Sequence, residues 1–162
     1  MAAPIYTGGP PFFKTGLRTR RIVVPSGATA VTLKKSQSGG VFLFDGASVT
    51  YTLPAPVVGL YFEFFTTVVS ATTAIVITNA SSVFMTGTIV MGVEATTPGA
   101  VPGPDFFSGN GTSHVKVTQN GTTTGGLVGS AFNVTCISAT KWFATGLILA
   151  LAGSQVSTPF SA

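Results

Sequence analysis

Apolar side chains in this sequence recur at every second position, and no segment sustains the three-to-four spacing of a helix. Thr29, Val31 and Leu33 alternate with Ala30 and Thr32. Leu60, Phe62 and Phe64 alternate with Tyr61, Glu63 and Phe65, and Val115 and Val117 with His114, Lys116 and Thr118. A two-residue period puts one set of side chains on a buried face and the other outside, the signature of half-buried strands. Composition agrees. β-Branched and aromatic residues (Thr, Val, Ile, Phe, Tyr, Trp) number 68 of 162, against 25 of the straight-chain helix formers Glu, Lys, Arg, Gln, Leu and Met. The length suits one domain that buries its own core without staples. The expected fold class is all-β: an antiparallel β-sandwich or jelly-roll-like barrel with an extended N-terminal arm.

Turn signals divide the chain into strands. Val41–Phe44 leads through Asp45-Gly46, a hairpin signal, into Ser48–Leu53, so these two strands are expected to pair. Pro54 and Pro56 end that unit, because proline cannot donate to a ladder. Further strands are expected over Leu60–Phe65, Thr73–Thr78, Val83–Met91 and Phe132–Thr145, with a turn at Asn120-Gly121. Gly146–Ala152 has room for a turn or two of helix. Residues 95–112 hold three prolines and four glycines and read as a long loop, and long loops usually carry function. The expected organisation is an arm over 1–25, a sandwich over 26–152 and a tail over 153–162. No convincing internal repeat is visible.

Charge is scarce and uneven. Only 7% of residues are Asp, Glu, Lys or Arg, far below the roughly 25% of an average soluble domain. Ser and Thr supply 39 uncharged polar groups instead, so a hydroxyl-rich exterior is expected, along with a tendency to associate. Lys14, Arg18, Arg20, Arg21, Lys34 and Lys35 precede any acid; the remainder carries Lys116 and Lys141 against Asp45, Glu63, Glu94 and Asp105. The basic part is also irregular, with Gly8-Gly9-Pro10-Pro11 and Pro25 between Tyr6, Phe12 and Phe13. A basic arm with aromatic anchors suits docking on a neighbouring protein. Nucleic acid is not the expected partner, because six positive charges without a recognition helix or a stacking sheet leave a weak footprint.

The sequence offers little for catalysis. One histidine, His114, and one cysteine, Cys136, leave no metal cluster or relay triad to assemble, and no cofactor or metal is expected. Cys136 shares the Phe132 and Val134 face and reads as core, while His114 reads as solvated or interfacial. Glu63, flanked by aromatics on its own face, is expected to meet water, a subunit interface or a cation. Ser113-His114-Val115-Lys116 and Ser138-Ala139-Thr140-Lys141 lie on predicted strands, where residues i and i+3 point to opposite faces, so neither forms a serine–lysine pair. The chain reads as no enzyme. It has no apolar run of signal-peptide or membrane-spanning length, so it is expected to be soluble, without membrane contact and made in a cytoplasm.

Two stretches carry a family resemblance. Val31–Leu33, Gly40–Asp45, Val49–Pro56 and Gly59–Phe64 resemble a segment of small virion structural proteins of tailed bacteriophages, in which "V-T-L-P-A-P-x-x-G-L-x-F-x-F" follows "S-G-x-x-F-x-x-D". Val134–Gly146 is similar to the "V-T-L-x-S-x-G-T-K-W-x-V-x-G" strand pair near the end of such proteins, departing from it at Ala139, where the family has a turn Asp or Gly. The resemblance implies a capsid decoration, or cement, protein on the capsid exterior, with the major capsid protein as partner and self-association as a homotrimer. Phe12, Phe13, Lys14, Arg18, Arg20 and Arg21 are the residues expected to touch the shell. The alternative is a receptor- or glycan-binding module of a tail fibre or spike, with Phe106, Phe107 and Asn110 at its tip. In either case Trp142 and the aromatics Phe42, Phe44, Tyr51, Phe62 and Phe64 are expected to build one core.

Overall fold

The computed structural model describes residues 22–23, 29–46, 48–70, 73–93, 103–151 and 156–162. Two β-sheets pack face to face, and no α-helix occurs among the described residues. The chain first winds as a flattened coil. Strand β1 (Ile22–Val23) lies in one sheet and β2 (Ala30–Thr32) in the other. The next turn adds β3 (Gly40–Phe44) and β4 (Ser48–Thr52), and the third adds β5 (Tyr61–Thr66) and β6 (Thr73–Ile77). β3 runs parallel to both β1 and β5, and β4 runs parallel to both β2 and β6. Parallel neighbours need a crossover between them; here the crossover is a strand of the opposite sheet.

The second half of the chain extends both sheets. It supplies β7 (Phe84–Val93), β8 (Asp105–Asn110), β9 (Lys116–Gln119), β10 (Ala131–Ser138), β11 (Lys141–Ala150) and β12 (Phe160–Ser161). β10 adds antiparallel to β5, β11 antiparallel to β10, β7 parallel to β11 and β8 antiparallel to β7. The result is a seven-stranded sheet, β1-β3-β5-β10-β11-β7-β8, over a five-stranded one, β12-β9-β6-β4-β2.

The fold is the expected β-sandwich, but its sheets are mixed rather than antiparallel, and neither closes into a barrel. The difference is first visible at Asp45-Gly46. A type I′ hairpin turn, the one Asp-Gly favours, needs positive φ at both central residues, and neither residue adopts it. β3 and β4 therefore enter different sheets, and their apolar sides face each other. Tyr51 of β4 packs on Phe42 and Phe44 of β3 with ring centroids 5.7 and 5.3 Å apart, and its hydroxyl donates to the Leu43 carbonyl at 2.6 Å. The three coil turns are a structural repeat without a sequence repeat, because the loops between them differ in length.

Four other expectations change. Ile22–Val23, within the segment read as an arm, joins the sheet edge. Asp105–Asn110, within the segment read as a long loop, forms β8. Gly146–Ala150 is strand, not helix: β11 runs straight through Gly146, beside Phe132 of β10, where a Cβ would come within 2.4 Å of the Ala131 oxygen and the Phe132 Cα. The C-terminal segment read as a tail contributes β12, which pairs with β9 and buries Phe160 to 1% exposure.

Most of the core aromatics stand on the seven-stranded side. Phe42, Phe64 and Phe132 stand in one row across β3, β5 and β10, and Phe64 meets Phe132 at 5.3 Å. Trp142 packs on Phe62 at 5.9 Å. Val49, Ala74, Val76 and Val117 face them from the five-stranded sheet. The neighbouring inner row, which holds Phe62 and Val134, narrows towards β8 to Ala144, Gly87 and Gly109. That narrowing admits the Phe160 ring, whose Cε1 lies 3.0 Å from where a Gly109 Cβ would sit. Phe160→Ala is therefore expected to lower unfolding free energy by about 3–5 kcal/mol, as for other fully buried phenylalanines. Urea titration of the two proteins measures this, and a loss under about 1 kcal/mol, the cost of an ordinary surface change, would return residues 156–162 to the status of a tail.

Candidate functional site

Side chains on the outer face of the seven-stranded sheet fall into transverse rows fixed by strand register. The first row is Leu43, Phe65, Ala131, Leu147, Val90 and Phe106, one residue from each of β3, β5, β10, β11, β7 and β8. All six are apolar. Leu43, Ala131 and Val90 are half-buried, while Phe65, Leu147 and Phe106 are 40%, 45% and 69% exposed, so large exposed and smaller recessed side chains alternate along the row.

The second row, over the same six strands, is Val41, Glu63, Asn133, Thr145, Thr88 and Ser108. The third, over β5, β10, β11, β7 and β8, is Tyr61, Thr135, Phe143, Thr86 and Asn110. Where the first two rows meet, a shallow depression of about 120 Å³ is lined by Glu63, Phe65, Ala131, Asn133, Thr145 and Gly146 together with the edge of Phe132. The hydroxyl-rich exterior is present in the second and third rows. It recurs on the five-stranded sheet as Thr32, Thr50 and Thr52.

Glu63 lies on this outer face but is only 9% exposed, with the Tyr61 hydroxyl donating to Oε1. Alternation placed Tyr61, Glu63 and Phe65 together, and the structure does the same. His114 is half-buried; its ring stacks on Phe160 at 6.0 Å, and Nδ1 accepts the Asn110 N–H at 3.2 Å. Asn110 is occupied locally. Its Oδ1 accepts the N–H groups of Thr112, Ser113 and His114 at 2.9–3.1 Å, and Nδ2 donates to Ser113 Oγ at 2.7 Å. Asn120 caps its own turn in the same way, accepting from Thr122 and Thr124. These side chains shape loops instead of reaching outward. Of the proposed tip residues, Phe107 packs against the core and only Phe106 projects.

Cys136 is buried, donates to the Ser138 carbonyl and has its thiol pKa pushed up by burial. Trp142 and the other core aromatics are fully buried, as expected. No group of three or more metal-ligating side chains occurs among the described residues. Phe12, Phe13, Lys14, Arg18, Arg20 and Arg21 lie outside the described residues. No protein-family profile, no curated protein and no solved structure matches this chain.

The transverse apolar row escaped the sequence reading because its members come from six strands whose order is not chain order. Its one local sign was Phe65 on the strand face away from the core.

Tyr51 gives the core a pH signature. Burial, and secondarily the Asp45 charge, hold its phenol well above the ordinary value of 10.0. The folded chain thus keeps a proton that the unfolded chain loses near pH 10, and stability complete below that pH declines as pH rises further. The expected slope reaches about 1.4 kcal/mol per pH unit. Urea melts at pH 8 and pH 11 measure it; Tyr51→Phe should flatten the decline, and an equal decline in that variant would assign it elsewhere.

Proposed function

We propose that this chain is a non-enzymatic structural component of a virion, a decoration (cement) protein that binds the outer surface of a phage capsid and stabilises the shell. The observation that carries this reading is the apolar row across the seven-stranded sheet. A broad, rigid sheet face with large side chains left outside suits association through area, whereas small-molecule chemistry calls for a concave site with convergent polar groups. The shell contact itself is assigned to the basic, aromatic segment before β1, with Phe12 and Phe13 as anchors and Lys14, Arg18, Arg20 and Arg21 as the charged complement to an acidic shell surface. β1 is the first strand described, so removal of residues 1–21 leaves every described strand in place.

A tail-fibre or spike recognition module is the second reading. One observation favours it: Phe106, at 69% exposure on the edge strand β8, is placed to stack on a sugar ring.

Two measurements test the first reading. Capsids lacking the protein are expected to take up the full chain on co-sedimentation but not the chain lacking residues 1–21, which should keep the far-UV circular dichroism spectrum and melting temperature of the parent. Undiminished uptake of the truncated chain would remove the arm from the contact. Immunogold on particles from the producing lysate is expected to decorate the whole shell; gold confined to a tail tip would transfer the weight to the second reading.

A further inference from the structure

We propose that a second copy of this chain covers the outer face of the seven-stranded sheet, the two copies packing face to face about a two-fold axis that runs along the strands between β10 and β11. The pairing rests on the reading of this face as an association surface, but not on the identity of the particle.

The size of the face is the first argument. Seven strands about 4.8 Å apart, six to ten residues long in the body of the sheet, present roughly 600–900 Å². A standard interface uses about 800 Å² per partner, so the face has the size that a stable pair needs.

The pattern of the first row is the second. An axis at its centre carries each residue onto the one equally far from the other end: Leu147 onto the copy's Ala131, Phe65 onto its Val90, and Phe106 onto its Leu43. Because the row has six members that alternate between exposed and half-buried, each projecting side chain meets a recessed one. Leu147 seats over the depression beside Ala131 and Gly146. Its volume of about 120 Å³ is the scale of one apolar side chain, given that cavities of about 150 Å³ accept benzene. Self-complementarity of this kind is what an isologous interface requires.

Charge is the third. On this operation Glu63 meets the copy's Thr88 hydroxyl and Asn133 meets its Thr145, so the carboxylate at the middle of the face is not brought against itself. Asp105 and Lys141, at the starts of β8 and β11, lie away from the centre. A nucleic acid or an acidic protein would need cations here. With Glu63 offset from the axis, two copies approach without bringing their carboxylates into contact. A two-fold pair also differs from the homotrimer that the family resemblance implies.

Sedimentation equilibrium of the full chain is expected to give twice the 16.4 kDa protomer mass. Leu147→Asp should raise the dissociation constant at least about 100-fold, as loss of a central anchor does. Val58→Asp, at a 68% exposed position outside the three rows, should leave it unchanged. Separately purified Ala131→Cys and Leu147→Cys proteins, mixed under mild oxidant, should form covalent dimers faster than either alone, and the buried Cys136 supplies no background. A monomer at all concentrations, a trimer, a dimer indifferent to Leu147→Asp, or a dimer that forms only after residues 1–21 are removed would overturn the pairing. The two proposals fail separately: a monomer that still binds capsids overturns only the pairing, and a dimer that binds none overturns only the capsid reading.

Discussion

Tyr51 joins the two sheets, and most of the fold depends on how it does so. Its ring lies 5.3–5.7 Å from Phe42, Phe44 and Phe64, all of the opposite sheet, and its hydroxyl satisfies the Leu43 carbonyl. A buried phenol without a partner costs a few kcal/mol, so the hydrogen bond fixes the depth and lateral position of β4 relative to β3. Once β3 and β4 face each other across the core, the chain between them cannot be a hairpin. Every later strand of the coil then stacks parallel on its predecessor.

That stacking has consequences on both sides of the seven-stranded sheet. Inside, it brings Phe42 level with Phe64, and β10 adds Phe132 to the same row. Aromatic rings at 5–6 Å gain beyond simple burial, so the row is a cohesive centre against which β10 and β11 extend the sheet. Outside, the same register lines up Leu43, Phe65 and Ala131, and the β11-β7-β8 extension continues the line. The outer apolar row is thus a geometric consequence of the inner aromatic one, displaced by one residue along each strand.

Strand identity was legible in the sequence because alternation is local: Leu60–Phe65, Thr73–Thr78 and Val83–Met91 each hold their strand to within two residues of its ends. Sheet membership was not legible. Asp45-Gly46 has the composition of a hairpin, and the choice between pairing and facing was made by Tyr51 and the phenylalanines, a tertiary matter that turn chemistry does not encode. Phe160 was misread for a related reason. Its short segment carries no alternation, and its burial depends on Ala144, Gly87 and Gly109 leaving room 16 to 73 residues earlier in the chain. Of the candidate site, Glu63 and its neighbours on one strand face could be read; the row they border could not, because register joins residues from Leu43 to Leu147.

The low charge of the chain acquires a physical meaning from the two outer faces. On the five-stranded sheet, Thr32, Thr50 and Thr52 keep β-propensity while offering water a hydroxyl, beside Lys116 and the half-buried Ile75 and Ile77. The opposite sheet uses threonine in its second row but places Phe65, Leu147 and Phe106 beside it, and shelters its central carboxylate under Tyr61. Charged residues on that face would protect it from association, as they do on many sheet surfaces. Their near absence at the centre leaves Phe65, Leu147 and Phe106 lined up in register without that protection.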